Sequence, residues 1–380
     1  MAKSYTEEDV LIIIEKSNIN NTNKQYKKTV KLIKPLLASY NFNDINSKIL
    51  ILDAYLQALI ELDLIEDVFN VTQELIQLDP NSAKSNNNKY FILAQIIGGK
   101  KGIELYLNGI KNIDNKDKII ECYLSIVDIY MTDLCFEEDA EQQCDYYLNQ
   151  SLSLNENNFM VYSYLGSFRI SQQSFDNALE CFKKSWALFT ENLDNIEMDK
   201  SKILQYCYNL IKFLMELGDL SLIDSILAYS KQLEDDNIEG LYLEGFYNYL
   251  NLKIKLFNIS NNLDINNNYT PNQFMENEMN VHILNFQIDF SLVEANSVLN
   301  ELFIDAKIAF SYLLLLVDNL NLQNQDLISD DFLEFYEGSK NILISELNGI
   351  IDRDELIKLK NGEFINEAEE IDLENEVLEE

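Results

Sequence analysis

Hydrophobic positions recur with helical spacing along most of the chain, and the pattern is clearest over residues 159–189. The spaced small and apolar positions of this segment are Tyr162, Leu165 and Gly166, followed by Ala178, Phe182 and Ser185. Residues 171–174 between the two sets are polar and allow only a short turn, so the two helices are predicted to be antiparallel. Gly166 and Ala178 would permit a close crossing, and Phe182 would fill the space toward the next helix.

An aromatic residue, a Leu-Gly pair and a small–large–small series at these spacings are typical of the tetratricopeptide repeat (TPR). Weaker copies of the unit are predicted on both sides, at 6–40, 47–80, 90–113, 119–154, 202–233 and from 240 onward. Thr6, followed by acidic residues, is predicted to cap the first helix. The predicted fold class is therefore all-α: a TPR-like α-solenoid of antiparallel helix pairs with a C-terminal capping helix and an acidic tail.

The predicted organisation has four parts. Residues 1–257 form the helical repeats, and residues 258–285 form an Asn-rich insertion, containing Pro271, that we expect to be exposed and mobile. Residues 286–350 supply the last helices, with a cap at 331–347 that closes the hydrophobic interior. Residues 351–380 form an acidic tail that we expect to be disordered.

Composition supports a helical, acidic protein. Gly and Pro together number 14 of 380 residues, too few for the frequent turns of an all-β fold. Lys and Arg number 29 against 64 Asp and Glu, which gives a net charge of −35. A charge of this sign repels phosphate groups, so we expect no direct nucleic-acid partner and no membrane partner, and a basic protein is the better candidate.

Residues that could support catalysis are scarce. The single histidine, His282, has no cysteine or carboxylate pattern around it, and the Gly-rich segment 98–102 follows a helical unit where a phosphate-binding loop would follow a strand. The five cysteines lack paired spacing, which indicates reduced cysteines in an intracellular protein. We therefore predict no enzyme, no cofactor and no metal site.

In stacked helix pairs the first helix of each pair lines the concave face. Extending the repeat alignment predicts carboxylate, amide and aromatic side chains on that face: Asp53, Gln57, Glu61, Phe91, Gln95, Glu121, Asp128, Tyr208, Glu216, Glu239, Tyr242, Phe246 and Tyr249. Carboxylates attract Lys and Arg, and aromatic rings cover their aliphatic stems and make cation–π contacts. The face is thus suited to an extended basic peptide, although the same residues could instead be packed between repeats or simply solvated.

Three stretches together resemble one particular family. They are YFILAQIIGGKKGIELYLNGI at 90–110, the strong repeat at 159–189, and ILAYSKQLEDDNIEGLYLEGF at 226–246. With the insertion and the acidic tail, they are similar to the fungal TPR family of dedicated assembly chaperones for large-subunit ribosomal protein four. The matching positions are repeat positions, so the resemblance transfers no individual binding residue.

The resemblance implies a chaperone that captures a newly made basic ribosomal protein and shields its basic extension. It also implies delivery of that client for assembly of the 60S subunit, in the cytoplasm and nucleus. We further expect the chain to be monomeric until it binds the client. The alternative is a general TPR scaffold or adaptor in a stable multiprotein complex, with the acidity serving solubility.

Overall fold

The computed structural model describes residues 5–111, 113–193, 196, 198–276, 278–323 and 329–360. The chain forms two compact units, unit 1 up to Tyr164 and unit 2 from Leu165, with the division inside helix α9. Every regular element in the described ranges is a helix. Those up to the division are α1 Glu7–Thr22, α2 Tyr26–Ser39, α3 Ile45–Ile60, α4 Ile65–Leu78, α5 Asn88–Ile97, α6 Gly99–Ile110, α7 Lys116–Met131, α8 Ala140–Leu154 and α9 Phe159–Ser171. The remainder are α10 Phe175–Glu191, α11 Lys200–Glu216, α12 Ile223–Leu233, α13 Ile238–Ser260, α14 Pro271–Glu276, α15 Met279–Leu284, α16 Phe290–Ala295, α17 Ser297–Gln323, α18 Asp330–Ser345 and α19 Arg353–Lys360.

Helix α1 begins at the predicted cap. The Thr6 hydroxyl accepts a hydrogen bond from the backbone N–H of Asp9, and the Asp9 carboxylate accepts one from the backbone N–H of Thr6 at 2.8 Å. This reciprocal arrangement satisfies two N–H groups that the first helical turn leaves unpaired. Acidic residues in the first turn also interact favourably with the positive end of the helix dipole.

The close crossing of two helices that the strongest repeat predicts is confirmed in unit 2. A Cβ atom at Gly166 would collide with the ring of Phe182, so only glycine allows this approach. Ala178 and Phe182 are fully buried, and the Phe182 ring stacks on Phe213 of α11 with centroids 4.9 Å apart. Phe182 therefore fills the space between its own helix pair and the next helix, as its spacing indicated.

Unit 1 has a buried polar centre in the loop that joins α4 to α5. The Asp79 carboxylate accepts hydrogen bonds from the backbone N–H groups of Ala83, Lys84 and Ser85 at 2.8–2.9 Å. Lys89 is fully buried, and its ammonium donates to the Asp79 carbonyl at 2.5 Å and to Ser85 Oγ at 2.6 Å. Because a buried charge must be paired and hydrogen-bonded, these contacts hold the loop between α4 and α5 in one conformation.

This loop predicts a specific acid sensitivity. Burial alone raises the pKa of Asp79, but the N–H donors of Ser85, Lys84 and Ala83 outweigh it, so the pKa is far below its usual range. The pKa of Asp79 is lower in the folded chain than the value of about 3.9 expected in the unfolded chain, so the ionised carboxylate stabilises the fold at pH values above 3.9. This stabilisation is lost as the pH falls from there toward the folded pKa. The stability difference between wild type and Asp79→Asn, measured by urea unfolding, should therefore shrink between pH 5 and 2.5. A constant difference across that range would contradict this account.

The segment 258–285, predicted as an exposed and mobile insertion, has many exposed residues but also contains short helices and a few buried side chains. Helix α13 continues to Ser260, and α14 and α15 follow within 258–285. Phe274 is 1% exposed and lies beneath Gly218, where an added Cβ would come within 2.5 Å of its ring. The side chain of Asn258 is also buried, and its Nδ2 donates to the Asn267 carbonyl at 2.9 Å. A buried phenylalanine and a buried amide that satisfies loop carbonyls hold this segment against the helices.

The last helices close unit 2. The long helices α13 and α17 pack along each other, and Phe310 of α17 lies against Gly245 of α13. Helix α18, at the position predicted for the cap, packs on both. The fully buried Lys253 of α13 donates to Glu346 at 2.8 Å and to the Phe286 carbonyl, which ties α13 to the end of α18. Of the predicted tail, residues 353–360 form α19 with Leu356 buried, and residues 361–380 lie outside the described ranges.

Candidate peptide-binding surfaces

In unit 1 the predicted polar residues of α3 lie at or near the surface. Asp53 is half-buried and accepts the backbone N–H of Asn86 at 3.2 Å, and burial raises the pKa of its carboxyl. Gln57 is exposed and accepts from Asn21 Nδ2 at 3.2 Å. Glu61, which ends the helix, is exposed. The helix therefore presents an acidic end to solvent, while its other polar residues also hold neighbouring segments in place.

The other predicted residues of unit 1 lie on helices α5 and α7. Gln95 and Glu121 are exposed, and Glu121 forms an ion pair with Lys118 of the same helix at 2.7 Å. Asp128 is exposed and accepts the hydroxyl of Tyr164 at 2.8 Å. We name the predicted residues of α3, α5 and α7 that reach solvent the first-helix face of unit 1: Asp53, Gln57, Glu61, Gln95, Glu121 and Asp128. Four of these six side chains are carboxylates.

Phe91 does not join this face. Its side chain is only 6% exposed and stacks on Tyr106 of α6, with ring centroids 6.1 Å apart. A Cβ atom on Gly109 would come within 2.5 Å of the Phe91 ring, so this glycine makes room for it. Phe91 packs between the two helices of its own pair, contrary to the surface position expected from the repeat alignment.

In unit 2 two of the predicted aromatic residues line a groove. Tyr242 and Phe246 of α13 are half-buried and stacked, with ring centroids 6.1 Å apart. The opposite side of Tyr242 packs on Phe335 of α18 at 4.8 Å, so the closing helix orients these rings. The rings are thereby held in fixed positions on the first-helix side of unit 2.

The groove widens into a cavity of about 350 Å³. Its lining residues are Lys212, Met215, Glu216, Tyr242, Leu243, Phe246, Leu250, Phe274, Asn280 and Leu284. Glu216 is exposed at its edge, and the surrounding apolar groups raise the pKa of its carboxyl by limiting hydration. Glu239 is partly buried and pairs with Lys212 at 2.6 Å. An apolar cavity with carboxylates beside it suits a side chain that has an aliphatic stem and a basic end.

Two other predicted aromatics of unit 2 are buried. Tyr249 is 5% exposed and packs against Phe246, and the Lys253 ammonium lies 5.3 Å from its ring centroid. Tyr208 is 2% exposed and lies beside Gly240. Both positions correct the expectation that these rings are presented on an open face, because Tyr249 lies in the hydrophobic core of unit 2 and the largely buried Tyr208 lines a second cavity.

Part of this cavity was not anticipated from the sequence. Phe274 and Leu284 belong to the segment interpreted as an exposed insertion, yet both line the cavity. The signal for Phe274 was Pro271, a residue favoured at the first position of a helix, with apolar residues following at 274 and 275. The signal for Leu284 was the group of apolar residues at 279, 281, 283 and 284.

Other kinds of site have little support within the described ranges. His282 is exposed on α15, and no group of three or more His, Cys, Asp or Glu side chains there could hold a metal ion. None of the helices in that part of the chain combines the length and apolar character needed to cross a membrane. The candidate surfaces carry carboxylates and aromatic rings, groups that can make ion pairs and cation–π contacts with basic side chains.

Comparison with known proteins agrees with this architecture. Residues 236–372 match the family model described as the ACL4 C-terminal domain. The chain is 28% identical over 176 residues to the "Probable assembly chaperone of rpl4" of Schizosaccharomyces pombe, a match that covers 43% of this chain and 52% of that protein. It thus spans about half the length of this curated relative.

A solved structure gives an independent view of the fold. "Assembly Chaperone of RpL4 (Acl4) (Residues 1-338)" superposes with a TM-score of 0.55 at 18% identity, covering 65% of this chain and 98% of that one. This likeness confirms the TPR-like helical fold. The resemblance drawn from the sequence is confirmed as well, since this chain is similar to the assembly chaperones of ribosomal protein four and matches their C-terminal domain.

Proposed function

We propose that this chain is a dedicated chaperone that binds a newly made basic ribosomal protein, large-subunit ribosomal protein four, and delivers it for assembly of the 60S subunit. The observation that carries the proposal is the sequence match to a protein named as a probable assembly chaperone of rpl4. The acidic and aromatic surfaces of units 1 and 2 supply the chemistry that such a client requires.

The electrostatics explain how shielding works. A protein built to bind ribosomal RNA carries a dense positive charge, and a chain with a net charge of −35 attracts it strongly at low salt. Each exposed ion pair contributes only about 0–1 kcal/mol, so affinity must come from many carboxylates together with aromatic anchors such as Tyr242 and Phe246. These contacts occupy the basic groups that would otherwise bind RNA at the wrong place.

Release follows from the same charges. Ribosomal RNA has a higher density of negative charge than this surface, so it can displace the chaperone when the client reaches its assembly site. In this proposal the chain acts by binding alone, without catalysis and without direct contact to nucleic acid. It is a monomer before it meets the client, and it works in the cytoplasm and the nucleus.

Affinity purification followed by mass spectrometry tests the function. We expect the tagged chain to copurify chiefly with one free ribosomal protein, large-subunit protein four, and to be absent from mature ribosomes. A constant stoichiometric assembly of other proteins would instead favour a general TPR scaffold and overturn the proposal.

Salt tests the proposed mechanism of capture. The purified complex should dissociate progressively as salt is raised to about 0.5 M, because the Debye length falls from about 10 Å at 0.1 M toward 3 Å at 1 M. Added ribosomal RNA should dissociate it at constant salt. A complex that resists both treatments would contradict electrostatic capture, as measured by size-exclusion chromatography.

A further inference from the structure

A second cavity of unit 2 lies between the first turns of α11 and α13. It has a volume of about 380 Å³ and is lined by Lys200, Ser201, Leu204, Gln205, Tyr208, Glu234, Asn237 and Glu239. Its lining is more polar than that of the aromatic groove and carries charges of both signs. Lys200 pairs with Glu234 at 2.9 Å, and Glu239 pairs through Oε1 with Lys212 at 2.6 Å.

The hydroxyl of Tyr208 is the unusual group in this cavity. The residue is only 2% exposed, and its hydroxyl is buried without a hydrogen-bond partner among the described residues. Burial and the nearby carboxylates of Glu239 and Glu234 raise its pKa, so the hydroxyl keeps its proton. Leaving a buried hydroxyl unpaired is costly, and such groups in native proteins are commonly completed by a ligand or another partner.

The space around this hydroxyl depends on a glycine. A Cβ atom at Gly240 would lie 2.7 Å from the Tyr208 hydroxyl oxygen, so any larger residue would press on it. Asn237 caps α13 by accepting the backbone N–H of Gly240 at 3.1 Å, which holds this turn in place. The cavity therefore has a fixed donor at its base and carboxylate acceptors at its edge.

We propose that this cavity binds a main-chain amide of the client's extended basic segment, with Tyr208 donating to the carbonyl oxygen and a carboxylate accepting the N–H. A neutral amide offers both the acceptor and the donor that these groups need. An anion would be repelled by Glu234 and Glu239, and a cation would compete with the lysines that already pair with them. This inference rests on the proposed function and specifies one of its contacts.

A pair of tyrosine-to-phenylalanine substitutions tests the assignment. Tyr208→Phe removes only the hydroxyl, so we expect the thermal stability of the free chain to stay the same or rise, while its affinity for purified ribosomal protein four falls about three- to tenfold. The matched control is Tyr206→Phe on the same helix, because the Tyr206 hydroxyl is hydrogen-bonded internally to Ser185 Oγ at 2.9 Å. That control should lower thermal stability and leave the affinity unchanged.

The outcomes distinguish a failure of the proposed amide-binding subsite, the cavity beside Tyr208, from a failure of the proposed function. If Tyr208→Phe binds the client as tightly as wild type, the subsite is overturned while the proposed function stands. If the wild-type chain fails to bind the client, the proposed function itself is overturned, and the subsite with it. A client variant in which Ala replaces the Asn and Gln residues of the basic segment should bind with unchanged affinity, because the cavity is proposed to contact the main chain. If that variant instead loses as much affinity as Tyr208→Phe does, the cavity recognises a side-chain carboxamide and main-chain recognition is overturned.

Discussion

Replacing Lys89 with alanine is expected to lower the free energy of unfolding of unit 1 by about 3–5 kcal/mol, the usual cost of breaking a buried ion pair. The Lys89 ammonium is fully buried, lies 3.6 Å from an Asp79 carboxylate oxygen and bonds two further oxygens. Its removal leaves a carboxylate in the interior with fewer donors and opens a cavity where the side chain packed. Urea unfolding followed by circular dichroism measures the loss.

Lys84 provides a matched control in the same loop. Its side chain is exposed, so Lys84→Ala should change the stability by no more than about 0.5 kcal/mol. Hydrogen exchange should show the loss of protection in Lys89→Ala concentrated in the loop and the adjoining ends of α4 and α5. Equal stabilities for the two alanine variants would contradict the central role given to Lys89.

The second large effect concerns client binding. The triple variant Glu61→Lys, Glu121→Lys and Glu216→Lys should bind ribosomal protein four roughly 100-fold more weakly at physiological salt. Each of these carboxylates is exposed on or at the end of a first helix. Each reversal replaces an attraction of up to about 1 kcal/mol with a repulsion of similar size, and a factor of 100 corresponds to about 2.7 kcal/mol. Isothermal titration calorimetry at two salt concentrations measures the change.

A second triple variant controls for total charge. Glu66→Lys, Glu104→Lys and Glu180→Lys change exposed carboxylates on the second helices α4, α6 and α10. Both triple variants raise the net charge of −35 by the same six units, so they differ only in the face that is altered. The control should bind within a few-fold of wild type. If both variants lose the same affinity, the net charge of the chain and not the first-helix faces governs capture.

Much of the fold was predictable because helical repeats use local rules. The cap at Thr6, the close approach at Gly166 and the packing of Phe182 follow from residues that are near one another in sequence. The burial of Asn258 and Phe274 was not predicted, because asparagine-rich composition usually indicates exposed loops. Here the amide of Asn258 satisfies carbonyls inside the structure, a pairing that composition cannot reveal.

The candidate site was predictable only in part. Helical spacing places a residue on a face, and the exposed carboxylates Glu61, Glu121 and Glu216 agree with that placement. Spacing does not say whether a neighbouring helix covers the face. Phe91 and Tyr249 are covered, because α6 lies over the first and the closing helices of unit 2 lie over the second.

The sequence by itself determined the helical class, the repeat pattern and the acidic character, since periodicity, scarce glycine and proline, and charge are properties of the residues alone. The tertiary structure decided which side chains are available to a partner. It buried Lys89 and Lys253, which sequence reasoning would place in water. Oxygens of Asp79 and Ser85 in the adjoining loop surround Lys89, and oxygens of the distant residues Phe286 and Glu346 surround Lys253. It also enclosed the Tyr208 hydroxyl without a hydrogen-bond partner in the described part of the chain, because two helices separated by more than 20 residues in sequence meet there.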